Sequence, residues 1–340
     1  MPTITEVFDT AKQHHEAGQL KKAKALYEQV LAALTLHPDA LHSLGLIEHD
    51  LGRSDTAMYL IREAIAINGA PRYHYSLGNV HYDQGNYAGA LACFRAAVSL
   101  APNFARAHAG LGNALFQQGE LTGAIAAYRR ALSLREDLPG VHANLGLALM
   151  DLGELDAAIE HCRRAIALNP DFADGHNNIG LALLLQGRFA EGWIQHAWRW
   201  HIRGLRIGEK RFARQPWRGA PLDGAPILLH AEQGAGDTVQ FVRYAPLVAA
   251  RGGRVLVEIQ PELKRLIGTV SGVEQVIGRG ETLPAFTEHC PLLSLPLAFG
   301  TELATIPSQV PYLRPNAAEV AAWNTKFEKL TGRRVGLVWA

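Results

Sequence analysis

The sequence of 340 residues predicts two kinds of structure in turn, an array of repeated helix pairs and then an α/β domain. Glycines recur every 33 or 34 residues through the first two hundred positions, and an LG or IG dipeptide recurs at the same interval. After residue 226 the pattern changes to short apolar runs that alternate with helical segments. The first spacing is typical of stacked helical repeats, and the second pattern is typical of a sheet packed against helices.

The composition is that of an ordinary globular protein, with 48% hydrophobic and 19% charged residues. A formal net charge of +1 gives no general attraction to nucleic acid or to an anionic membrane. The three cysteines, Cys93, Cys162 and Cys290, are far apart and lack CxxC spacing, which predicts buried free thiols and no metal site. The N-terminus has no apolar signal core and no apolar run reaches 18 residues, so we expect a cytoplasmic protein without membrane insertion.

The repeat pattern predicts a glycine turn between two helices. A glycine at mid-repeat adopts the left-handed conformation that ends one helix and lets the next fold back. Small residues such as Gly45, Gly78 and Ala90 let the helices approach closely, and large ones such as Phe94 fill the space between them. The six turn glycines are Gly18, Gly52, Gly85, Gly119, Gly153 and Gly187.

This pattern closely resembles tetratricopeptide repeats over residues 4–206, about six units, of which one reads AHAGLGNALFQQGELTGAIAAYRRALSL. The resemblance implies an all-α, right-handed superhelix with a concave groove lined by the first helix of each pair. It also implies that the groove binds an extended peptide or a protein partner. The terminal unit departs from the pattern and carries Trp193, Trp198 and Trp200, which predicts that its face is buried against the next domain.

Four asparagines are the candidates for the peptide groove. Their amides could hold a peptide backbone without reading its sequence, and they resemble a partial version of the asparagine ladder of O-linked N-acetylglucosamine transferases. The resemblance is incomplete, because only Asn144 and Asn178 are matched to one repeat position, and the alternative is that all four are solvated amides on the helix surface. The candidates are Asn79, Asn113, Asn144 and Asn178.

Histidines also recur, each three residues before the LG or IG pair. Zinc needs ligands within roughly 2.1 Å of one point, whereas equivalent residues of neighbouring repeats lie on the order of 10 Å apart. We therefore predict packing residues with a polar tip and no metal. The histidines are His74, His108, His142 and His176.

The segment from Arg199 to Arg218 is basic and has a single acidic residue, Glu209. We favour a junction helix with amphipathic arginines, with an anion-binding rim or a nucleic-acid contact as the alternatives. Residues 207–225 form the predicted connector, which is followed by a domain over 226–333.

Strands and helices alternate in the second domain, which predicts an α/β sheet with helices on both faces. The helix that begins near Asp237 is expected to bend at Pro246. The predicted strands are 227–232, 254–259, 273–278, 287–295 and 334–340, and the further helices are a short one at 261–268 and a long one at 316–330.

The stretch QGAGDT, at 233–238, follows the first strand and opens a helix. Its backbone N–H groups could face an anion, although it matches neither the dinucleotide fingerprint nor the Walker loop. The purely structural interpretation is a capping box. In it the Asp237 side chain accepts from the backbone N–H of Gln240, and the Gln240 side chain reaches back to the backbone of Asp237.

From about Phe212 to Ala340 the chain resembles bacterial proteins that join tetratricopeptide repeats to a glycosyltransferase-like region, and more distantly the heptosyltransferase type. The resemblance implies a Rossmann-like α/β domain that is the first, acceptor-side half of a GT-B architecture. It assigns Asp237 as the base that takes the proton of the acceptor hydroxyl. It also implies substrate contacts by nearby residues, namely Gly234, Gly236, His230, Glu232 and Gln240.

The departure from that family is the final strand, 334–340, which would begin the second half and after which this chain stops. The expectation is a cut-off protein, and the alternative is a strand that completes the first sheet. We therefore expect this chain to bind partners without turnover and to hold no cofactor, with a nucleotide-sugar donor and a glycan acceptor only in the intact protein. The competing hypothesis is a non-catalytic scaffold that mediates protein–protein interaction.

Overall fold

The computed structural model describes residues 2–202, 212 and 215–328 of the chain. Within that part, the chain divides into two compact units, one ending at Ala182 and one beginning at Leu183. The first unit is all-α, and the second contains a parallel sheet.

The repeat region consists of helices that alternate between 13 and 14 residues in length until the last. We call the first helix of each pair an A helix and the second a B helix. The pairs are α1 (Ile4–Glu16) and α2 (Leu20–Ala33), α3 (Pro38–Asp50) and α4 (Ser54–Ile67), α5 (Pro71–Asp83) and α6 (Tyr87–Leu100), α7 (Ala105–Gln117) and α8 (Leu121–Leu134), α9 (Pro139–Asp151) and α10 (Leu155–Leu168), and α11 (Ala173–Leu185) and α12 (Phe189–His196).

The predicted glycine turns are confirmed at all six positions. Each turn glycine has a positive φ, between 71° and 87°. In each case the backbone N–H of the next residue donates to the carbonyl five residues earlier, as from Gln19 to His14 and from Glu120 to Leu115. This bond satisfies a carbonyl that the end of the A helix would otherwise leave without a partner.

Close contact between the helices of a pair occurs at the glycine of the LG dipeptides that lie within the A helices. A Cβ atom added to Gly78 would lie 2.6 Å from the Phe94 ring, and one added to Gly112 would lie 2.5 Å from the Tyr128 ring. Neither distance is compatible with a side chain at the glycine. Gly146 makes the same contact with Cys162, whose thiol is buried, and burial raises its pKa to about 12.

Three of the four recurring histidines hold the loops between repeats. The ring Nε2 of His108 donates to the carbonyl of Pro102 at 3.0 Å, and that of His176 donates to Pro170 at 2.9 Å. His142 makes the equivalent contact with Glu136 at 3.2 Å. Each bond reaches the carbonyl six residues earlier, so these side chains fix the entry of the chain into the next A helix.

The second unit contains a four-stranded sheet in which every neighbouring pair is parallel. The strands are β1 (Pro226–His230), β2 (Arg254–Ile259), β3 (Val273–Gly278) and β4 (Glu288–Pro291), and their order across the sheet is β3-β2-β1-β4. The predicted bounds of β2 and β3 agree with the structure. β1 ends two residues earlier than predicted, and β4 is shorter because a 3-10 turn begins at Leu292.

Beyond the repeat helix α12, the described helices of the second unit follow the predicted order, except that the short helix at 295–298 was not predicted. They are α13 (Ala235–Phe241), α14 (Ala245–Ala250), α15 (Lys264–Ile267), α16 (Leu295–Ala298) and α17 (Ala317–Glu328). A 3-10 turn over Val242–Tyr244 separates α13 from α14, so the bend expected at Pro246 is present at the start of α14. The predicted strand at 334–340 lies outside the described residues.

The sheet packs differently on its two faces. Ile227, Val255 and Cys290 belong to the main apolar core of this unit. On the opposite face Leu228, Leu256 and Ile277 form a small cluster, which is packed by Phe212, Leu283 and Phe286. These three partners lie outside the helices. The sequence predicted helices on both faces of the sheet. At this cluster the sheet is covered by loop residues instead.

The close contact at the LG glycine generates a stability prediction. Gly112→Ala should lower the free energy of unfolding by about 1–3 kcal/mol, because the added methyl group must displace the buried Tyr128 ring. The matched control is Gly140→Ala, which adds the same group at a helical position with nothing within 4 Å. Urea unfolding followed by circular dichroism compares them, and equal midpoints for the two variants would disprove the packing argument.

Candidate functional site

An open cleft with a volume of about 130 Å³ lies on the A-helix side of the first unit. Its walls come from three successive A helices, α5, α7 and α9, and from the residue that precedes α9. The lining residues are Tyr75, Asn79, Tyr82, Phe94, Arg106, Ala109, Gly110, Asn113, Leu138 and Val141.

The floor of this cleft is the ring of Phe94, which comes from the B helix α6. A Cβ atom on Gly78 or on Gly110 would lie 2.6 Å from the ring, so two A helices approach the same aromatic side chain. Tyr75 packs beside it with ring centroids 5.8 Å apart. Phe94 is only 1% exposed, and the floor is therefore fixed in position by packing on both sides.

Two of the four predicted groove asparagines, Asn79 and Asn113, line the cleft. Asn113 Oδ1 accepts from the Tyr128 hydroxyl at 2.9 Å and from Asn144 Nδ2 at 3.0 Å. Asn178 Nδ2 donates to the Ala143 carbonyl at 3.3 Å, which is a contact between neighbouring repeats. The structure therefore brings Asn79, Asn113 and Asn144 together and leaves Asn178 one repeat farther along.

Repeat position explains this partition. Asn79 and Asn113 each follow the glycine of an LG dipeptide, whereas Asn144 and Asn178 each precede the leucine or isoleucine. The ladder is thus two staggered pairs. The sequence analysis identified neither Arg106, the cation of the cleft, nor the aromatic residues of its wall. The repeat spacing could have indicated Arg106, which lies 34 residues after Arg72 at the same repeat position.

A second candidate site is the turn between β1 and α13. Because β2 lies on one side of β1 and β4 on the other, the carboxyl ends of β1 and β4 meet where the strand order reverses. Ligands of open α/β sheets bind at such a point. The predicted catalytic residue, Asp237, belongs to α13 directly after this edge.

The capping interpretation of Asp237 with Gln240 is wrong in its details. The helix begins at Ala235, three residues earlier than a cap at Asp237 would require, and Gly234 is its N-cap residue. Asp237 is the third helical residue and reaches back, so that its Oδ2 accepts from the Gly234 N–H at 3.1 Å. The carboxylate is partly exposed, while Gly234, Gly236 and Gln240 are exposed.

Glu232 does not line an open cleft as predicted. Its side chain is only 1% exposed and forms an ion pair at 2.9 Å with Arg199, which is 3% exposed at its side chain. The same guanidinium donates to Ser294 Oγ at 2.8 Å, after the end of β4. Burial raises the pKa of the Glu232 carboxyl above its usual value, whereas the charge and hydrogen bonds of Arg199 lower that pKa in part. Arg199 thus lies at the edge where β1 and β4 end.

His230 is likewise buried, with 6% of its surface exposed. Its Nε2 lies 3.2 Å from His289 Nδ1 on β4, and the Phe212 ring packs over both histidines. The ring of Trp200 meets His230 edge-on at 6.2 Å. The predicted substrate role of His230 therefore conflicts with its buried position under aromatic rings.

The predicted basic segment and the terminal tryptophans are described only in part. Arg199 is buried and Arg218 is exposed, whereas Arg203, Arg206, Lys210, Arg211 and Arg214 lie outside the described residues. Trp193 Nε1 donates to the Thr301 carbonyl at 3.0 Å, so the last repeat helix, α12, contributes to the packing of the second unit. This contact agrees with the burial expected from the tryptophans.

Two absences within the described residues bear on the site. No group of three or more His, Cys, Asp or Glu residues in that part of the chain could hold a metal ion. No helix there has the length and apolar character needed to cross a membrane.

Comparison with known proteins concerns mainly the repeats. The sequence model of the tetratricopeptide repeat matches residues 8–71 and 75–139, and that of the TPR repeat matches residues 146–187. Human tetratricopeptide repeat protein 7B is 36% identical over 84 residues, which cover 24% of this chain and 10% of that protein. Protein FlbA of Caulobacter vibrioides is 29% identical over 185 residues, 46% of this chain and 29% of that protein. The chain thus spans less than a third of either relative.

Solved structures show the same repeat fold. The APC/C hetero-tetramer Cut9-Hcn1 has a TM-score of 0.54 at 19% identity, with 59% of this chain and 40% of that chain covered. Pseudomonas aeruginosa pilF has a TM-score of 0.53 at 18% identity, with 61% of this chain and 96% of that chain covered.

The buried ion pair generates a prediction for the second unit. Arg199→Met should lower the free energy of unfolding by about 3–5 kcal/mol, because it leaves the Glu232 carboxylate buried without its partner. Adding Glu232→Gln should restore part of that loss, since the uncompensated charge is then gone.

Chemical unfolding of the single and double variants measures the coupling. The control is Arg254→Met, which breaks an exposed pair with Glu274 and should cost about 0–1 kcal/mol. If the second substitution deepens the loss, the two side chains are not coupled as described.

Proposed function

Because this chain belongs, over residues 8–187, to the tetratricopeptide repeat family, we propose that it binds an extended segment of a partner polypeptide in the cleft formed by α5, α7 and α9. The observation that carries the proposal is the lining of this cleft, where two amides at equivalent repeat positions face a fixed aromatic floor. Amides bind the peptide backbone, and the floor excludes water from the contact.

The spacing of the two amides suits an extended chain. Equivalent positions of neighbouring repeats lie on the order of 10 Å apart, and an extended peptide advances about 3.3 Å per residue. Asn79 and Asn113 would therefore meet backbone groups about three residues apart. The bonds from Tyr128 and Asn144 orient the Asn113 amide before the peptide arrives, which lowers the entropic cost of binding.

Selection of random twelve-residue peptides displayed on phage, with this protein as target, tests the proposal. Asn79→Ala should weaken the best synthetic peptide by up to about tenfold, as for the loss of one hydrogen bond. Fluorescence polarisation of the labelled peptide gives the affinities. Asn68→Ala, an exposed change at the end of α4, should leave the affinity unchanged. Equal affinities for wild type and Asn79→Ala would place the peptide elsewhere.

The second candidate function is the acceptor-side half of a nucleotide-sugar-dependent glycosyltransferase with a GT-B architecture. The parallel order β3-β2-β1-β4 supports it, as does the position of Asp237 beside the edge where β1 and β4 end. In this proposal Asp237 takes a proton from the acceptor hydroxyl, and the exposed Gly234 and Gly236 allow close approach of the backbone. Gln240 lines the acceptor site, and the expected substrates are a nucleotide-sugar donor and a glycan acceptor.

His230 and Glu232 have a different part in this proposal. Both are buried, and they shape the floor under the turn rather than contact the acceptor. The competing scaffold function assigns the same residues only to stability. The two hypotheses differ in what they expect of Asp237 alone.

An assay of sugar transfer distinguishes them. Asp237→Asn keeps an oxygen that can accept from Gly234 N–H, so the melting temperature should change little while transfer falls by about 10²–10⁴-fold. Asp223→Asn is the matched control, because Asp223 is exposed in a turn with φ 47°, which asparagine tolerates. Transfer by Asp237→Asn at the wild-type rate would remove the catalytic assignment and favour the scaffold.

A further inference from the structure

We propose that the peptide bound in the A-helix cleft carries a carboxylate that pairs with Arg106, next to an aromatic or aliphatic side chain that enters the cleft. This inference rests on the peptide-binding function proposed above and adds the chemical class of the ligand. Of the residues that line the cleft, Arg106 alone is charged. It lies in the first turn of α7, and it is exposed.

A comparison within the chain shows why the charge of Arg106 is available. Arg72 is the equivalent residue one repeat earlier, and its guanidinium pairs with Asp39 of the preceding A helix. Asp39, Arg72 and Arg106 occupy the same repeat position, five residues before an LG dipeptide, so the neighbour of Arg106 on the preceding A helix is the cation Arg72. Arg106 therefore lacks the acidic partner that the repeat spacing gives to Arg72, and within the described residues no ion pair involves it.

Acidic residues beside the cleft do not neutralise Arg106. Glu136 and Asp137 stand directly before Leu138, which lines the opposite wall. Glu136 Oε1 lies 2.6 Å from the Arg164 guanidinium nitrogen Nη2, and Asp137 Oδ1 lies 2.7 Å from Arg135 Nε. Since each carboxylate has its own cation, the lining of the cleft keeps a positive charge that complements an anion.

The remaining lining defines the second feature of the ligand. Tyr75 and Tyr82 of α5 line the cleft together with Leu138, Val141 and the Phe94 ring. These walls match an aromatic or branched aliphatic side chain, which would bury apolar surface on binding. Ligand recognition thus combines one charge-assisted contact, one apolar contact and backbone bonds to the two amides.

The geometry of α7 places these contacts on one face. Arg106, Ala109, Gly110 and Asn113 are spaced i, i+3, i+4 and i+7, which is the spacing of neighbours along a helix surface. The small residues in the middle leave room between the cation and the amide. A peptide that reaches both ends can therefore lie over Ala109 and Gly110 without a clash.

Two selections test this inference with the same phage-displayed peptides, one on the wild-type protein and one on Arg106→Gln. The wild type should enrich peptides with Asp or Glu near Phe, Trp, Tyr or Leu, and the variant should lose that preference for an acid. For a synthetic peptide from the first selection, Arg106→Gln should weaken binding by at least about tenfold, as expected for a charge-assisted hydrogen bond. Arg95→Gln, an exposed change on the B helix α6, should have no effect.

A double-substitution cycle completes the test. Replacing the acidic residue of the peptide by its amide should cost wild type at least about tenfold and cost Arg106→Gln almost nothing, because the pair is already broken. Equal losses in both proteins would overturn the role of Arg106 while leaving peptide binding intact. Failure of the wild type to enrich any peptide would instead overturn the proposed function.

Discussion

The repeat region depends on one packing contact, the close approach of a glycine on an A helix to a large side chain on the following helix. Phe94 and Tyr128 occupy space that a Cβ atom at the glycine would need. Since packed interiors leave no spare volume, this contact sets the distance between the helices of each pair. Phe94 extends the rule, because it packs against Gly78 and Gly110 and so joins one repeat to the next. The floor of the cleft is thus a by-product of the contact that builds the superhelix.

Much of this architecture could be predicted from the sequence because its causes are local and repeated. A glycine with positive φ, a small residue in an A helix and a short loop recur together every 33 or 34 residues. The strands β2 and β3 were equally accessible, since each is a short apolar run between turn residues. The cleft was predictable only in outline. Asn79 and Asn113 were identified, but the ring that supports them belongs to a different helix, and no spacing rule within α5 or α7 refers to it.

The second unit shows the opposite situation. Its long-range pairs, such as Arg199 with Glu232 and His230 with His289, join residues that are 33 and 59 positions apart. Sequence patterns do not record such pairs, so Glu232 and His230 were predicted to face a cleft although they are buried. The predicted start of α13 also differs from the structure, by three residues. Asp237 is a good cap in isolation, and Gly234 took that position because the chain turns as soon as β1 ends.

The buried thiols have a practical consequence. Cys162 lies in the first unit and Cys290 in the sheet of the second, and burial raises the pKa of both. A thiol in that state reacts with an alkylating reagent only when the surrounding structure opens. Each unit therefore carries its own natural reporter, and the rates at which the two sulfurs are labelled give the opening equilibria of the repeats and of the sheet separately, without any engineered probe.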